Sequence, residues 1–391
     1  MTHLLSDELL ATLRERAADY DRDNAFFAED LADLQAAGYL GTMVPTALGG
    51  AGLSLRETAR EQARLSAHAP ATALAVNMHH VWVGVGRYLH ERGDSSLDWL
   101  LAEAAAGEVF GFGYSEPGND LVLLGSRTEA RPDGNGGYTF HGRKIFTSNS
   151  PAWTRLGVLG LDPSGGNGRR GGEPRLVHAF VTRDGGGFDI LDDWDTIGMR
   201  ASQSRTTMLD GAHAPADRVL RLLPPGPSLD PYVLGIFTSF EVLLAAVYAG
   251  IADRALELAV EAVGRRTSMK TGKPYSQDPD VRRRIADMAL TQDSVWLQID
   301  GITRDLDASA SDSTLDRGAG WFRATAGLKV RVTEAARDVV DQAVRVSGGS
   351  TYFNSSELGR LYRDVLAGIF HPSSDDSAHS TVAQSLLGPL D

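Results

Sequence analysis

The chain has 391 residues, enough for two or three structural units around a sizeable core, which excludes a small module held by staples. Hydrophobic residues make up 42% and charged residues 23%, as in an ordinary globular protein, and the absence of cysteine excludes disulfides, thiolate metal sites, iron–sulfur clusters and a cysteine nucleophile together. A net charge of -13 argues against a nucleic-acid partner, because the Arg265-Arg266 and Arg282-Arg283-Arg284 runs are short, mixed with acids and read as solvated helix faces.

In chain order, Met1 to Glu8 lack the basic and apolar regions of a signal peptide, and no apolar run approaches the roughly 20 residues that cross a bilayer. A cytoplasmic location without a membrane partner is therefore expected. Residues 1–108 read as an N-terminal helical domain. Apolar residues recur at helical spacing from Asp7 to Asp21 and from Phe26 to Ala37, with Gly38 as a stop. After a break through Gly41-Thr42-Met43-Val44-Pro45 and Gly49-Gly50-Ala51-Gly52, Ser54 caps a helix running to Ala67. Pro70 suits the first turn of a long apolar helix to about His90, which carries His79 and His80, and a last helix runs from Ser96 to Ala106.

From residue 109 to residue 222 the texture changes to glycine, valine, threonine and aromatics with period-two stretches, such as Leu176-Val177-His178-Ala179-Phe180-Val181. Asp133-Gly134-Asn135-Gly136-Gly137 is a hairpin turn, and no helix-length insert separates the strands, so the central domain reads as antiparallel. Ser164 to Gly172, with Arg169 and Arg170, reads as a surface loop. Pro224-Pro225-Gly226-Pro227 closes this domain, and residues 223–391 read as a C-terminal helical bundle: Val233–Arg266, Asp280–Leu306, Trp321–Val346, Ser355–Ile369 and Ser377–Leu387.

The common catalytic motifs fail. No G-x-G-x-x-G opens a helix, Gly272-Lys273 runs into a proline, and Ser115 is not in a nucleophile elbow. His371, Asp375 and His379 are four apart, yet Pro372 places the helix start beyond His371, so no metal site is expected.

One stretch, Phe112 to Asn149, has two polar, backbone-exposing ends joined by a hairpin: Ser115-Glu116-Pro117 at the start and Gly142-Arg143-Lys144-Ile145-Phe146 near its close. Together with Val44-Pro45, Leu48 to Gly52, Gly198-Met199-Arg200-Ala201-Ser202 and Gly348-Gly349, these motifs occur in the order found in the acyl-CoA dehydrogenase superfamily, which the chain resembles over essentially its whole length. The resemblance implies an α+β fold of helical domain, β-domain and helical bundle, in a homotetramer or homodimer, with a flavin between the β-domain and the bundle. By position, Phe112, Tyr114 and Ser115 would line the flavin ring, the last two through their backbone. Phe146 would stand against the ring, and the Ser148 hydroxyl would donate to its N5. Flat apolar contact with a few fixed donors is what a redox ring requires. Arg266 matches an arginine on the dinucleotide pyrophosphate, and Gly348-Gly349 matches a turn against that group, which favours FAD, with FMN as the alternative.

The family's dehydrogenases carry a glutamate base after an arginine-aspartate pair. Here Arg363-Asp364 is followed by Ile369-Phe370-His371-Pro372, so histidine takes its place. Some relatives carry the glutamate on the first helix of the bundle, where Phe240 aligns and Glu241 is one residue off, turned by about 100°. A histidine before proline resembles instead the two-component flavin monooxygenases, for which His371, Ser148 and His79 or His80 are the candidate catalytic residues; neighbours on a helix face different ways, so at least one of the pair is structural. The reading is a reduced-flavin-dependent monooxygenase of a small organic substrate, served by a separate flavin reductase. The alternatives are an acyl-CoA or carrier-protein thioester dehydrogenase and a catalytically inactive flavin-binding scaffold.

Overall fold

The computed structural model describes residues 3–165 and 172–388; the centre of the loop expected from Ser164 to Gly172, with Arg169 and Arg170, lies outside the described residues. The N-terminal helices are α1 (Asp7–Asp23), α2 (Ala28–Ala36), α3 (Leu55–Ser66), α4 (Pro70–His90) and α5 (Asp98–Ala105). Local chemistry sets their starts. Ser6 accepts from the Leu9 N–H at the head of α1, Ser54 and Glu57 close a reciprocal capping box on α3, and Pro70 opens α4. Helix α4 is buried almost all round, from Thr72 to Gly86, because it runs between the other helices and the sheet.

The strands are β1 (Phe110–Gly113), β2 (Glu129–Pro132), β3 (Tyr138–Thr147), β4 (Arg155–Asp162), β5 (Arg175–Thr182), β6 (Phe188–Ile190), β7 (Arg205–Ala214) and β8 (Val219–Leu223). They form one sheet in the order β6-β7-β3-β2-β4-β5-β8, with β1 beside β4. Most pairs are antiparallel, as in β4 with β5, where Leu159 faces His178. The exceptions correct the expectation of a wholly antiparallel domain: β1 runs parallel to β4, and β2 meets β4 in parallel at Glu129 and Leu161. The β2–β3 hairpin is itself the crossover between β1 and β4, so no helix was needed.

The bundle comprises α6 (Pro231–Arg265), α7 (Pro279–Ala308), α8 (Gly320–Ser347), α9 (Glu357–Val365) and α10 (Asp375–Leu387). Aspartate caps α6 and α7, each followed by proline, and Ser374 caps α10. Helix α6 is long and apolar enough to cross a membrane, but 94% of its most apolar window is buried, which makes it the centre of the bundle. It packs on α8, α4 and α3.

Candidate active site

A cavity of about 840 Å³ opens between the end of β1, the segment from Asp120 to Leu124, the first half of α6, the start of α8 and α10. That is within the size range of about 300–1,000 Å³ for cofactor and small-molecule sites. Phe112 and Ser115 form its sheet-side wall, and Phe237, Phe240 and Phe322 its bundle-side wall. Phe112 also reaches into the core, 4.7 Å from the Tyr114 ring and 5.7 Å from that of Phe240.

Two motifs from the ends of the Phe112–Asn149 stretch meet in a clasp beside this cavity. Lys144, fully buried on β3, donates to Glu116 Oε1 at 2.7 Å and to the Leu159 carbonyl at 2.6 Å. Glu116 also accepts from the backbone N–H groups of Arg127 and Thr128, from Ser126 Oγ and from Asn119 Nδ2. Burial opposes the Glu116 charge, but the Lys144 ammonium and these donors outweigh it and hold the carboxyl at about 2; burial lowers Lys144 to about 8 against the pull of Glu116. The clasp pins both ends of the segment that supplies Asp120 to Leu124 to the cavity. The β3–β7 register breaks between Lys144 and Thr147, and Ile145 donates instead to the Ser115 carbonyl at 2.9 Å, joining the two motif ends.

Glu241, on α6, is 1% exposed and lines the cavity. Its Oε1 accepts from the Ser373 N–H at 3.0 Å and the Ser373 hydroxyl at 2.8 Å, whereas Oε2 has no protein partner. Burial pushes the carboxyl up to about 7, although the Ser373 bonds and the Lys329 ammonium act to lower it. Lys329, on α8, donates to the carbonyls of Gly368, His371 and Ser373 and so fixes the loop that presents Ser373. A single helical stripe, Val233, Ile236, Phe237, Phe240 and Glu241, faces the cavity. The stripe is wide enough to include adjacent positions, so the expectation that Glu241 points elsewhere is corrected.

The structure separates the remaining expected site residues. His371 does not line the cavity: its Nε2 meets Tyr248 Oη at 2.8 Å, and burial together with the Lys329 charge lowers it to about 3. His79 links α4 to two backbones, through the Leu40 carbonyl at 2.9 Å and the Phe110 N–H at 3.1 Å. His80 packs edge-on against Tyr39 at 4.8 Å, its ring nitrogens unpartnered, and neither histidine reaches the cavity. Tyr114 turns its hydroxyl into the core, to His178 and Tyr232, leaving only its backbone for a ligand. Phe146, 55% exposed at φ 55°, and Ser148, whose hydroxyl meets Ser204 Oγ at 2.8 Å, lie outside the cavity lining. The bulge that sends Ile145 to Ser115 redirects the strand beyond it.

Arg266 and Gly348 do come together. The arginine donates to the carbonyls of Val346 and Ser347 at the end of α8, and a Cβ at Gly348, where φ is 78°, would lie 2.7 Å from its guanidinium. Gly349 follows with open space around its α-carbon.

Family models match the acyl-CoA dehydrogenase N-terminal domain over residues 6–97 and the acyl-CoA dehydrogenase C-terminal domain over residues 242–375. The amino sugar nitrososynthase RubN8 of Streptomyces rubradiris is 31% identical over 381 residues, covering 94% of this chain and 84% of that protein. L-evernosamine nitrososynthase of a Micromonospora species is 30% identical over 372 residues, covering 93% and 84%. The solved structure of KijD3 in complex with FMN and dTDP-3-amino-2,3,6-trideoxy-4-keto-3-methyl-D-glucose matches with a TM-score of 0.85 at 29% identity, covering 98% of this chain and 92% of that one.

Proposed function

Because the chain belongs to the acyl-CoA dehydrogenase superfamily and is a flavin-dependent oxidoreductase within it, we propose that it uses reduced flavin and oxygen to hydroxylate the nitrogen of a small primary amine. Near full-length similarity to two nitrososynthases of amino sugars carries this reading. Bound reduced flavin supplies two electrons to oxygen, one atom of which forms the new N–O bond while the other leaves as water. The protein's part is a proton and a dry wall. An ammonium has no lone pair to react, and Glu241, a carboxylate in the cavity wall whose Oε2 has no protein partner, is the group that would take its proton. Phe112, Phe240 and Phe322 exclude water around it.

The residues fit a flavin. Phe112 offers an apolar face, and Ser115, on the same wall, a polar edge. We read the cofactor as FMN: Arg266 is already held by two carbonyls at the end of α8, so a dinucleotide pyrophosphate would compete for it. FMN in the KijD3 complex supports the same choice. Self-association and delivery of reduced flavin by a separate reductase belong to this proposal.

Glu241 supports a second reading, because a buried carboxylate in the cavity could equally remove the α-proton of an acyl thioester. One comparison decides between them. With chemically reduced FMN, oxygen and an amine, N-hydroxylation is expected, with one atom from isotopically labelled oxygen in the product. Anaerobic bleaching of oxidised flavin by an acyl-CoA or acyl-carrier thioester, without any N-oxygenated product from amines, would overturn the proposal.

A further inference from the structure

Away from the large cavity, α9 carries a buried arginine that no protein group neutralises at close range. Arg360 is 6% exposed, its Nε has no partner, and among the described residues its guanidinium makes no hydrogen bond and no ion pair. Buried charges are ordinarily paired and buried donors ordinarily bonded, so such a group points to a ligand. The charges around it are engaged elsewhere. Arg363 bonds Asp21 at 3.0 Å, Arg200 donates to the carbonyls of Asp21 and Thr196, each at 2.8 Å, and Asp364 accepts the Met199 N–H at 2.6 Å. Glu357, one turn before Arg360, is held by both forks of Arg254. Arg360 borders a cavity of about 10 Å³ between α1, α9, the turn at Arg200 and Ala201, and the start of α4. That is about the room one water-sized particle needs. The start of α4 adds donors. Pro70 has no N–H, the N-cap Ala69 offers no side-chain acceptor, and the N–H groups of Ala71 and Thr72, both residues of the cavity wall, make no hydrogen bond among the described residues. Asp30, beside this helix end, accepts instead from the Thr72 hydroxyl and from Arg16. A helix N-terminus with unpaired N–H groups attracts negative charge.

We propose that this small cavity is a chloride site, in which one halide ion neutralises Arg360 and caps α4. Two free amides and a free guanidinium belong to residues bordering a space that takes a single atom, which suits a monatomic anion and excludes phosphate, sulfate and carboxylates by size. A water bridging Arg360 to Asp364 is the competing occupant; it supplies an acceptor but no negative charge. Because the wall is drawn from the N-terminal helices, the β-domain and the bundle, the ion would join all three, and its binding is linked to folding.

Thermal melts of the full chain test this, in sodium gluconate with chloride or bromide replacing gluconate at constant ionic strength. Each halide is expected to raise the midpoint saturably, by about 2 °C or more at about 0.2 M. Arg360→Met, long and apolar but uncharged, is expected to melt at the same temperature in all three salts. Anomalous scattering from wild-type crystals grown in bromide locates the ion without any variant: a peak is expected within hydrogen-bond reach of the Arg360 guanidinium and of the Ala71 or Thr72 N–H. Should Arg360→Met fail to fold, the bromide peak decides alone. A wild-type midpoint that ignores halide, an equal halide response in folded Arg360→Met, or a cavity that holds water and no bromide would overturn the proposal.

Discussion

Glu241 holds its proton far above the range of an exposed glutamate because burial disfavours its charge more than Ser373 and Lys329 restore it. A proton acceptor must be ionised to work, so kcat/KM for an amine is expected to rise with pH through about 7, the value at which this carboxyl ionises. In Glu241→Gln that limb disappears and kcat/KM falls by roughly 10²- to 10⁴-fold; a pH–rate profile of both proteins checks it. His371 behaves oppositely. Burial and the Lys329 charge lower its ring to about 3, which favours the neutral imidazole near pH 7. His371→Phe should leave turnover per folded molecule unchanged while costing about 1–3 kcal/mol, because the buried Tyr248 hydroxyl loses its partner. Urea unfolding and steady-state assays on the same preparation distinguish the two effects.

At the scale of elements, the sheet and the cavity are joined by one buried ion pair. Lys144 sits on β3 and Glu116 at the start of the segment that walls the cavity, and Glu116 takes four further donors, from Asn119, Ser126, Arg127 and Thr128, besides Lys144. Removing one partner strands the other charge in the interior. Lys144→Met should therefore cost about 3–5 kcal/mol, and adding Glu116→Gln should recover part of it. Denaturant midpoints of the single and double variants form the test cycle; a single variant as stable as the double would exclude the clasp. This pair was visible in the sequence only as two motifs 28 residues apart. The β-bulge after Lys144, beyond which Ile145 reaches the Ser115 carbonyl, is announced by no period-two pattern. The helices were easier to read, since Ser54, Pro70 and the Asp-Pro starts of α6 and α7 act through contacts within a few residues.

Across the whole molecule, the arginine-aspartate pair of α9 ties three regions together. Arg363 bonds Asp21 of α1 at 3.0 Å and the Ile197 carbonyl at 2.7 Å, and Asp364 accepts the Met199 N–H at 2.6 Å. Gly198 fits between them because a Cβ there would lie 2.3 Å from the Arg363 carbonyl. Gly198→Ala should thus push the β-domain away from the bundle, costing about 1–3 kcal/mol and weakening flavin retention, as thermal melts and flavin content would report. The sequence by itself determined the order of helices, sheet and bundle, the family, and the use of a flavin, but not which flavin chemistry, because those rest on local caps, periodicity and motifs in register along the chain. Only the tertiary structure decided which carboxylate and which aromatics share a cavity. His371 and Glu241 are 130 residues apart in sequence, and only packing on α6 and α8 turns the histidine to Tyr248 and sets the glutamate in the cavity wall with its second oxygen unpartnered.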